Sequence, residues 1–301
     1  MQIVHDISIV FISIILEAFP FIMLGVILSS IIQEFVSDDT LQKFIPKNPI
    51  LGSLVGVILG LFIPACDCMV IPISRRLIKK GVPLNVAISF MLASPIINPI
   101  VLLSTYYSFS KTLPVMVLYR SVFGIVIAMV IGIIMSITTK KEDVFSKNNY
   151  NEFNECNCKH EHEHKHKNFI ERINNIILHS KDEFLEIVKY LIIGGLIAAI
   201  VQICVPKSLI LGLSNNKILE IIILMIFAYV ISLCSTADSF VAKTFVSQVS
   251  NNSILAFLLV GPMIDIKNTL VLSKSFSKKF TIKLISLIFI CVFLATYFIK
   301  I

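Results

Sequence analysis

Long apolar runs interrupted by a few polar residues constrain this chain more than any other feature. Eight such runs lie near residues 7–36, 50–79, 83–107, 113–138, 182–205, 217–246, 253–273 and 281–299. A helix of 18 or more apolar residues can cross the hydrocarbon core of a bilayer. The chain is also 56% hydrophobic and only 15% charged, which is unusual for a soluble protein. The sequence therefore predicts an all-α polytopic membrane protein with about eight transmembrane segments, located in the cell membrane.

The charge distribution favours a lipid bilayer over nucleic acid as the partner of this chain. The formal net charge is +7, but the basic residues cluster at the ends of the apolar runs, as the positive-inside rule expects. The first run is too long for a cleaved signal peptide and is predicted to be a retained helix. The seven cysteines lack the spacing of a disulfide framework, so free thiols are expected.

The first and second halves of the chain resemble each other. Residues 16–33 align with residues 185–202 at an offset of 169, and residues 93–100 align with 260–267 at an offset of 167. A nearly constant offset over this distance indicates duplication. It predicts a first four-segment repeat, a polar linker and a second four-segment repeat, with bounds of 1–138, 139–181 and 182–301.

Polar insertions interrupt the apolar runs at corresponding places in the two halves. They read PACDC and SPIINP in the first half, and LCSTAD and GPMID in the second. Secondary transporters are commonly built from such repeats, and their substrate sites lie near the midplane where helices break. Broken or re-entrant helices are therefore predicted at the centre, and the sequence leaves open whether the repeats are parallel or inverted. The residues predicted to break helices are Pro64, Pro72, Pro95, Pro99 and Pro262.

The insertions contain the side chains that could contact a substrate. A carboxylate at the bilayer centre costs roughly 2.5–3.5 kcal/mol and should face the bundle interior. Thiols supply soft sulfur suited to thiophilic metals and metalloids, although they also serve as small buried hydrophobes. The three cysteines of the insertions suggest a three-thiol pocket, but the sequence does not show that they converge. The predicted substrate-binding residues are Cys66, Asp67, Cys68, Ser94, Asn98, Cys234, Thr236, Asp238 and Asp265.

Some of the polar residues have a second interpretation. Asn98 could offer its amide to the substrate or satisfy a freed carbonyl. Asp265 could line the pathway or pair with Lys267 in a structural role. Arg120 is a possible partner for Glu17 or Asp67.

Two aligned acids are candidates for proton coupling. Glu17 and Glu186 occupy equivalent positions near the start of equivalent runs. Glu17 lies about ten residues into its run, so it is expected to be buried, and a buried carboxylic acid can carry a proton. The alternative is a structural ion pair, for which Glu186 and Lys189 have the helical spacing.

The polar linker contains a tract rich in histidine and cysteine. Such a composition binds transition metals readily, but it is also typical of a disordered charged linker without a specific task. The weak metal-binding candidates are Cys156, Cys158, His160, His162, His164 and His166.

No nucleotide-binding or hydrolase motif of the common types is present. We therefore expect neither an enzyme nor a cofactor-dependent protein, and ATP-driven pumping by this chain alone is disfavoured. The expected ligand is a small molecule or an ion. The oligomeric state is left open, with a homodimer as one possibility.

The chain resembles the ArsP-type, YraQ-like permease family. Three stretches match its motifs: GLFIPACDCMVIPISRRLIKKGVPLNVAISFMLASPIINPI at 60–100, CSTADSFVA at 234–242 and GPMIDIKNT at 261–269. The likeness covers nearly the whole chain outside the linker. It implies a permease of the cytoplasmic membrane, and relatives with a known substrate export trivalent organoarsenicals.

Together, the residues and the resemblance predict a secondary permease that exports a thiophilic substrate, such as a trivalent organoarsenical or a soft metal ion. Two alternatives stay open. One is a membrane-embedded thiol–disulfide protein that cycles Cys66 and Cys68, because a C-x-C bridge is strained and readily reduced. The other is a transition-metal permease or sensor that uses the histidine-rich linker.

Overall fold

Every regular element that the structure describes is an α-helix. The computed structural model describes residues 2–35, 46, 48–63, 66–110, 113–145, 169–204, 216–246 and 248–299, and within them a few helical side chains, that of Glu186 included, are left undescribed. The helices are α1 (Gln2–Phe35), α2 (Pro49–Phe62), α3 (Asp67–Lys79), α4 (Leu84–Ile97), α5 (Pro99–Phe109), α6 (Met116–Thr138), α7 (Lys141–Val144), α8 (Phe169–Cys204), α9 (Lys217–Ile231), α10 (Asp238–Lys243), α11 (Asn251–Met263), α12 (Ile266–Ser275) and α13 (Lys278–Phe298). The predicted all-α class is confirmed.

Six helical stretches are long and apolar enough to cross a membrane within the described residues. They are Ile3–Ile32, Leu84–Phe109, Met116–Thr138, Ile187–Cys204, Asn251–Ser275 and Lys278–Phe298. The predicted count of about eight transmembrane segments is therefore not confirmed, although a multi-pass membrane protein is. The second and sixth predicted runs each divide into two shorter helices, and the longest of these pieces, α9, has 15 residues. At 1.5 Å per residue it covers about 22 Å, which is less than a hydrocarbon core of about 30 Å.

The centre of the molecule is formed by α4 and α11. All residues of α4 are buried, and so is nearly all of α11, from Asn252 to Met263. The four other long spans are only about a third buried or less, so their remaining surface is available to lipid. These two central helices occupy aligned positions of the predicted repeat.

A second helix continues beyond each central helix, and a polar residue caps the start of this second helix. Asn98 separates α4 from α5 and caps α5, with its Oδ1 accepting from the N–H of Ile100 at 3.0 Å. Asp265 separates α11 from α12 and caps α12, with its Oδ1 accepting from the N–H of Asn268 at 2.6 Å. Such side-chain acceptors satisfy N–H groups that have no partner within the helix. Neither of the two interpretations that the sequence offered for Asn98 describes this capping contact.

The second and sixth runs break differently. The described end of α2 is at Ile63, and α3 begins at Asp67 after an extended Cys66. Helix α9 ends at Ser232, whose φ of 56° is left-handed, a common way to stop a helix. A loop of residues 232–237 then leads into the short α10.

Not every predicted proline break is present. Pro95 and Pro262 lie within the last turn of α4 and α11, and Pro99 starts α5. Pro72 was predicted to break a helix, but α3 continues through it, since a proline in a helix interior removes one hydrogen bond without forcing termination when packing holds the segment. Pro64 lies outside the described residues.

The predicted polar linker is partly helical at its two ends. Helix α7 lies at 141–144, and α8 begins at Phe169, before the predicted second repeat. The Phe145 ring stacks on Phe276 at the start of the connection to α13. The cysteines and histidines of the tract lie outside the described residues, so the predicted domain bounds and metal tract stay predictions.

Small residues allow the first-half helices to pack closely. A Cβ added to Gly56 of α2 would overlap the carbonyl oxygen of Val86 in α4, which is backbone and cannot move aside. Close approach of this kind is the usual role of glycine between membrane helices.

We predict that Gly56→Ala destabilises the protein by about 1–3 kcal/mol, because the added methyl forces α2 away from α4. Thermal unfolding in detergent measures the effect. The matched control is Gly195→Ala in α8, where the nearest atom would lie at an ordinary 3.4 Å. Equal melting temperatures for the two variants would show that α2 and α4 do not pack as described.

Candidate functional site

Two groups of polar side chains are buried where the broken segments meet the rest of the bundle. The arginine cluster consists of Thr105, Arg120, Ser235, Asp238 and Ser239. The lysine cluster consists of Asp67, Cys68, Asp265, Lys267 and Asn268. Each of these residues is less than 10% exposed. Residues of both predicted halves contribute to each cluster.

In the arginine cluster, Arg120 of α6 reaches Asp238 at the start of α10. Its Nη1 and Nη2 donate to the two carboxylate oxygens at 3.2 and 2.9 Å. Nη1 also lies 2.8 Å from Thr105 Oγ1 and 2.7 Å from Ser239 Oγ. Nη2 donates to the Ser235 carbonyl at 3.3 Å. The guanidinium thus binds the carboxylate with two bonds, the geometry in which arginine pairs best.

The partner predicted for Arg120 was wrong, since Arg120 pairs with Asp238 and not with Glu17 or Asp67. The break between α9 and α10 explains this, because it carries Asp238 to the face of α5 and α6. A further bond supports the docking: Ser104 of α5 donates to the Thr236 carbonyl at 2.6 Å. An arginine that is 0% exposed requires such a partner, because an isolated buried charge is very costly.

In the lysine cluster, the ammonium group of Lys267 lies between several acceptors. It donates to the carbonyl of Ser232, the left-handed residue that ends α9, at 3.0 Å. It also lies 3.3 Å from Asp265 Oδ2, although that oxygen has no well-aligned hydrogen bond, so the contact is an ion pair with poor directionality. Of the two interpretations of Asp265, the structure shows the pairing with Lys267.

The first-half break supplies the other members of the lysine cluster. The Cys68 thiol donates to Asn268 Oδ1 at 3.4 Å. Asp67 lies near Lys267, Asp265 and Asp238, close enough to interact electrostatically with each. Its Oδ1 is nevertheless buried without a hydrogen-bond partner among the described residues. Asp67 and Asn268 also line a small cavity with room for about one water molecule.

Two thiols from different halves form a more open rim beside these clusters. Cys66 and Cys234 are both half-buried free thiols, and they are close enough to interact electrostatically with each other. The Cys234 Sγ also lies 3.4 Å from Thr236 Oγ1. Among the described cysteines, those at 66, 68, 204, 234 and 291 are all free.

Glu17 faces the Cys234 thiol but is exposed, so the prediction that it is buried was wrong. The buried face of α1 passes through Ala18, Ile22 and Val26, spaced as one stripe of a helix. Glu17 lies beside that stripe. Glu186 belongs to α8, and its side chain is outside the described part of the structure.

The other predicted contact residues have structural partners. Ser94 is fully buried and donates to the carbonyls of Gly60 and Ile63 at 3.4 and 3.2 Å, which closes the end of α2. The three thiols do not form a common metal site, because no group of three or more His, Cys, Asp or Glu side chains in the described ranges is placed to hold a metal ion. Cys68 points instead to Asn268.

Sequence reasoning did not single out Asn268, Ser232 or Thr105. Asn268 follows GPMID by three residues, so extending that motif by one helical turn would have included it. The others gave no signal, because an isolated hydroxyl in a helix usually bonds to its own backbone.

Comparison with known proteins identifies the family. A family model described as "Predicted permease", of the ArsP type, matches residues 3–301. The chain belongs to this permease family. The resemblance found in the sequence is therefore confirmed, and the protein is a permease by family.

Two curated relatives match this permease over most of their length. The chain is 41% identical to the UPF0718 protein YcgR of Bacillus subtilis, over 97% of this chain and 96% of YcgR. It is 36% identical to a Streptococcus mutans protein described as a proposed subunit of a two-component membrane permease complex, over 92% and 89% of the two chains. A shorter match, 30% over 77 residues, is to the UPF0718 protein YraQ of Escherichia coli. No solved structure matches the permease.

We predict that Arg120→Gln lowers the unfolding free energy of the permease by about 3–5 kcal/mol, because it leaves the Asp238 carboxylate buried without a counter-charge. The Arg120→Gln, Asp238→Asn double variant should recover part of this loss, since no buried charge then lacks a partner. Thermal unfolding in detergent measures both. Ser121→Ala is the control, because Ser121 bonds only to Val117 of its own helix. A double variant as unstable as the single one would refute the pairing.

Proposed function

We propose that this permease exports a thiophilic substrate through the site where the broken segments of its two halves meet. The observation that carries the proposal is the rim formed by Cys66 and Cys234. Each thiol belongs to the break of a different half, and each is half-buried beside the polar clusters. A transported ligand held between them would contact both halves at once, as alternating access requires.

The partial exposure of Cys66 and Cys234 suits reversible binding of a transported substrate rather than permanent binding. A permease must release what it binds, so its contacts with the substrate should be few. Cys66 and Cys234 are partly open, whereas Cys68 is buried and already bonded to Asn268. We assign the two rim thiols to first contact and Cys68 to the inner wall of the site.

The arrangement favours a trivalent organoarsenical over a metal ion of the zinc type. Structural zinc takes four protein ligands and catalytic zinc usually three, whereas no described group of three such side chains converges here. A trivalent arsenic atom with one organic substituent has two remaining positions, which two thiols can fill. Two thiols from opposite halves match this requirement.

A second subunit is compatible with this assignment. The Streptococcus mutans relative is described as one subunit of a two-component complex, and we extend that arrangement to the present chain as part of the proposal. Transport should therefore be measured in native membrane vesicles as well as with the purified chain.

Phenylarsine oxide and Cd²⁺ uptake into everted vesicles tests the proposal. We expect uptake of phenylarsine oxide in the wild type and a reduction of about tenfold or more in Cys66→Ser and in Cys234→Ser, because a lost contact worth about 1.4 kcal/mol changes affinity tenfold. Cd²⁺ uptake should be weaker, since only two thiols are offered.

The control is Cys291→Ser, which removes a half-buried thiol of α13 that lies outside both broken segments. It should transport at the wild-type rate. Equal phenylarsine oxide uptake by the wild type, Cys66→Ser and Cys234→Ser would refute the assignment of the two thiols to substrate binding. A lack of uptake by the wild type would refute an organoarsenical substrate.

A further inference from the structure

The two buried clusters contain one carboxylate more than they contain cations. Asp238 is matched by Arg120 through two hydrogen bonds. Asp265 is matched by Lys267 at 3.3 Å. Asp67 is the third carboxyl group, and only these two cations belong to the clusters. If all three acids were ionised, the buried region would carry one uncompensated negative charge.

Asp67 is the acid left over by this pairing. It is 5% exposed, and its Oδ1 accepts no hydrogen bond from any described residue. A buried carboxylate that has no counter-charge of its own and leaves one oxygen without a hydrogen bond is costly in a protein interior, and more so within a bilayer. The free energy of the site therefore falls when Asp67 binds a positive charge.

The cavity beside Asp67 restricts what that positive charge can be. Apart from Asp67 and Asn268, its lining is apolar and includes Met91, Pro262 and Leu272. Hard metal cations take six or more oxygen ligands, which this lining does not provide. The Asn268 oxygen already accepts from Cys68. A proton needs only one carboxylate oxygen and no coordination shell.

We propose that Asp67 carries the exchangeable proton of this permease, and that Lys267 balances whichever of Asp67 and Asp265 is ionised. With the proton bound, Lys267 pairs with Asp265, as the structure shows. When the O–H bond of Asp67 breaks, the proton passes to water on one side of the membrane, and the carboxylate that remains attracts Lys267. Lys267 lies in the first turn of α12, which Asp265 caps, and it is close enough to interact electrostatically with both Asp265 and Asp67, so its ammonium group can approach either acid.

The titratable groups near Asp67 come from several neighbouring elements. On its own segment the nearest titratable groups are Cys66 and Cys68. Cys234 of the α9–α10 connection and Asp238 at the start of α10 also lie near Asp67. Lys267 of α12 and its cap residue Asp265 approach it as well. Helix α1 contributes Glu17, which faces Cys234. Helices α4 and α11 contain no titratable residue.

This proton would drive export if the proposed function holds. Asp67 is close enough to interact electrostatically with both rim thiols, Cys66 and Cys234, so loss of its proton places a negative charge near the proposed substrate position. The coupling acid is then Asp67, in place of Glu17 and Glu186. The protonation of Asp67 in the substrate-free protein does not depend on which substrate is transported.

Infrared difference spectroscopy of the purified chain in lipid, without substrate, tests the proton directly. At neutral pH we expect a carboxylic-acid C=O band that shifts in D₂O and is lost in Asp67→Asn. Asp265→Asn should lose the band as well, because Lys267 is then free to pair with an ionised Asp67. Lys267→Met should increase the band roughly twofold, because both acids then need a proton.

These variants make the test decisive even if one of them fails to fold. A band that persists in Asp67→Asn places the proton elsewhere and overturns the proposal. If the band is lost in Asp67→Asn but persists in Asp265→Asn, the proposed charge balance between Asp67, Asp265 and Lys267 is wrong. Circular dichroism and gel filtration establish that each variant compared is folded.

A second measurement separates this proposal from the proposed function. Vesicles that contain the pH dye pyranine should report proton movement when phenylarsine oxide is added to the wild type, and this signal should be lost in Asp67→Asn. An equal signal in the variant overturns Asp67 as the coupling acid. If the wild type transports no phenylarsine oxide, the proposed function fails, while the infrared band still decides whether Asp67 holds a proton.

Discussion

The structure depends on the placement of buried charges in a helical bundle that has little water to solvate them. Five charged residues lie within the arginine and lysine clusters, and each is less than 10% exposed. Such charges are tolerated only when partners compensate them. The two ion pairs of these clusters, Arg120 with Asp238 and Lys267 with Asp265, involve residues at a helix break or its cap. The helix breaks thus allow the charged side chains to pair, and the ion pairs fix the positions of α10 and α12.

The two clusters differ in a way that suggests a division of labour. In the arginine cluster only Arg120 Nε lacks a hydrogen bond to a described residue, and both carboxylate oxygens of Asp238 are paired, so this cluster resembles a fixed anchor between α6 and α10. The lysine cluster is under-satisfied, since one oxygen each of Asp67 and Asp265 lacks a hydrogen bond. Groups that have alternative partners at similar energies are suited to change state. This is why the proposed transport steps are assigned to the lysine cluster and the neighbouring thiols.

The sequence predicted the class, the family and most of the helix breaks because each depends on local composition or on short motifs. Apolar length predicts helices, and the polar insertions mark where they end. Pairing could not be predicted, since Arg120 and Asp238 are 118 residues apart and their contact depends on how α10 folds back on α5 and α6. The exposure of Glu17 was missed for a similar reason: depth along a helix says nothing about which face is buried. About eight transmembrane segments were predicted because hydropathy does not show whether a broken apolar run crosses the membrane as one span.

The central claim is that the breaks of the two halves meet at one buried site, and a crosslink between Cys68 and position 268 tests it most directly. The experiment uses Asn268→Cys in a chain whose six other native cysteines are replaced, with a protease site inserted at 146–168. After oxidation or a short thiol crosslinker, cleaved protein should remain joined on a non-reducing gel, because Cys68 Sγ lies 3.4 Å from the Asn268 side chain. Halves that separate, although both thiols react with a maleimide, would contradict the account.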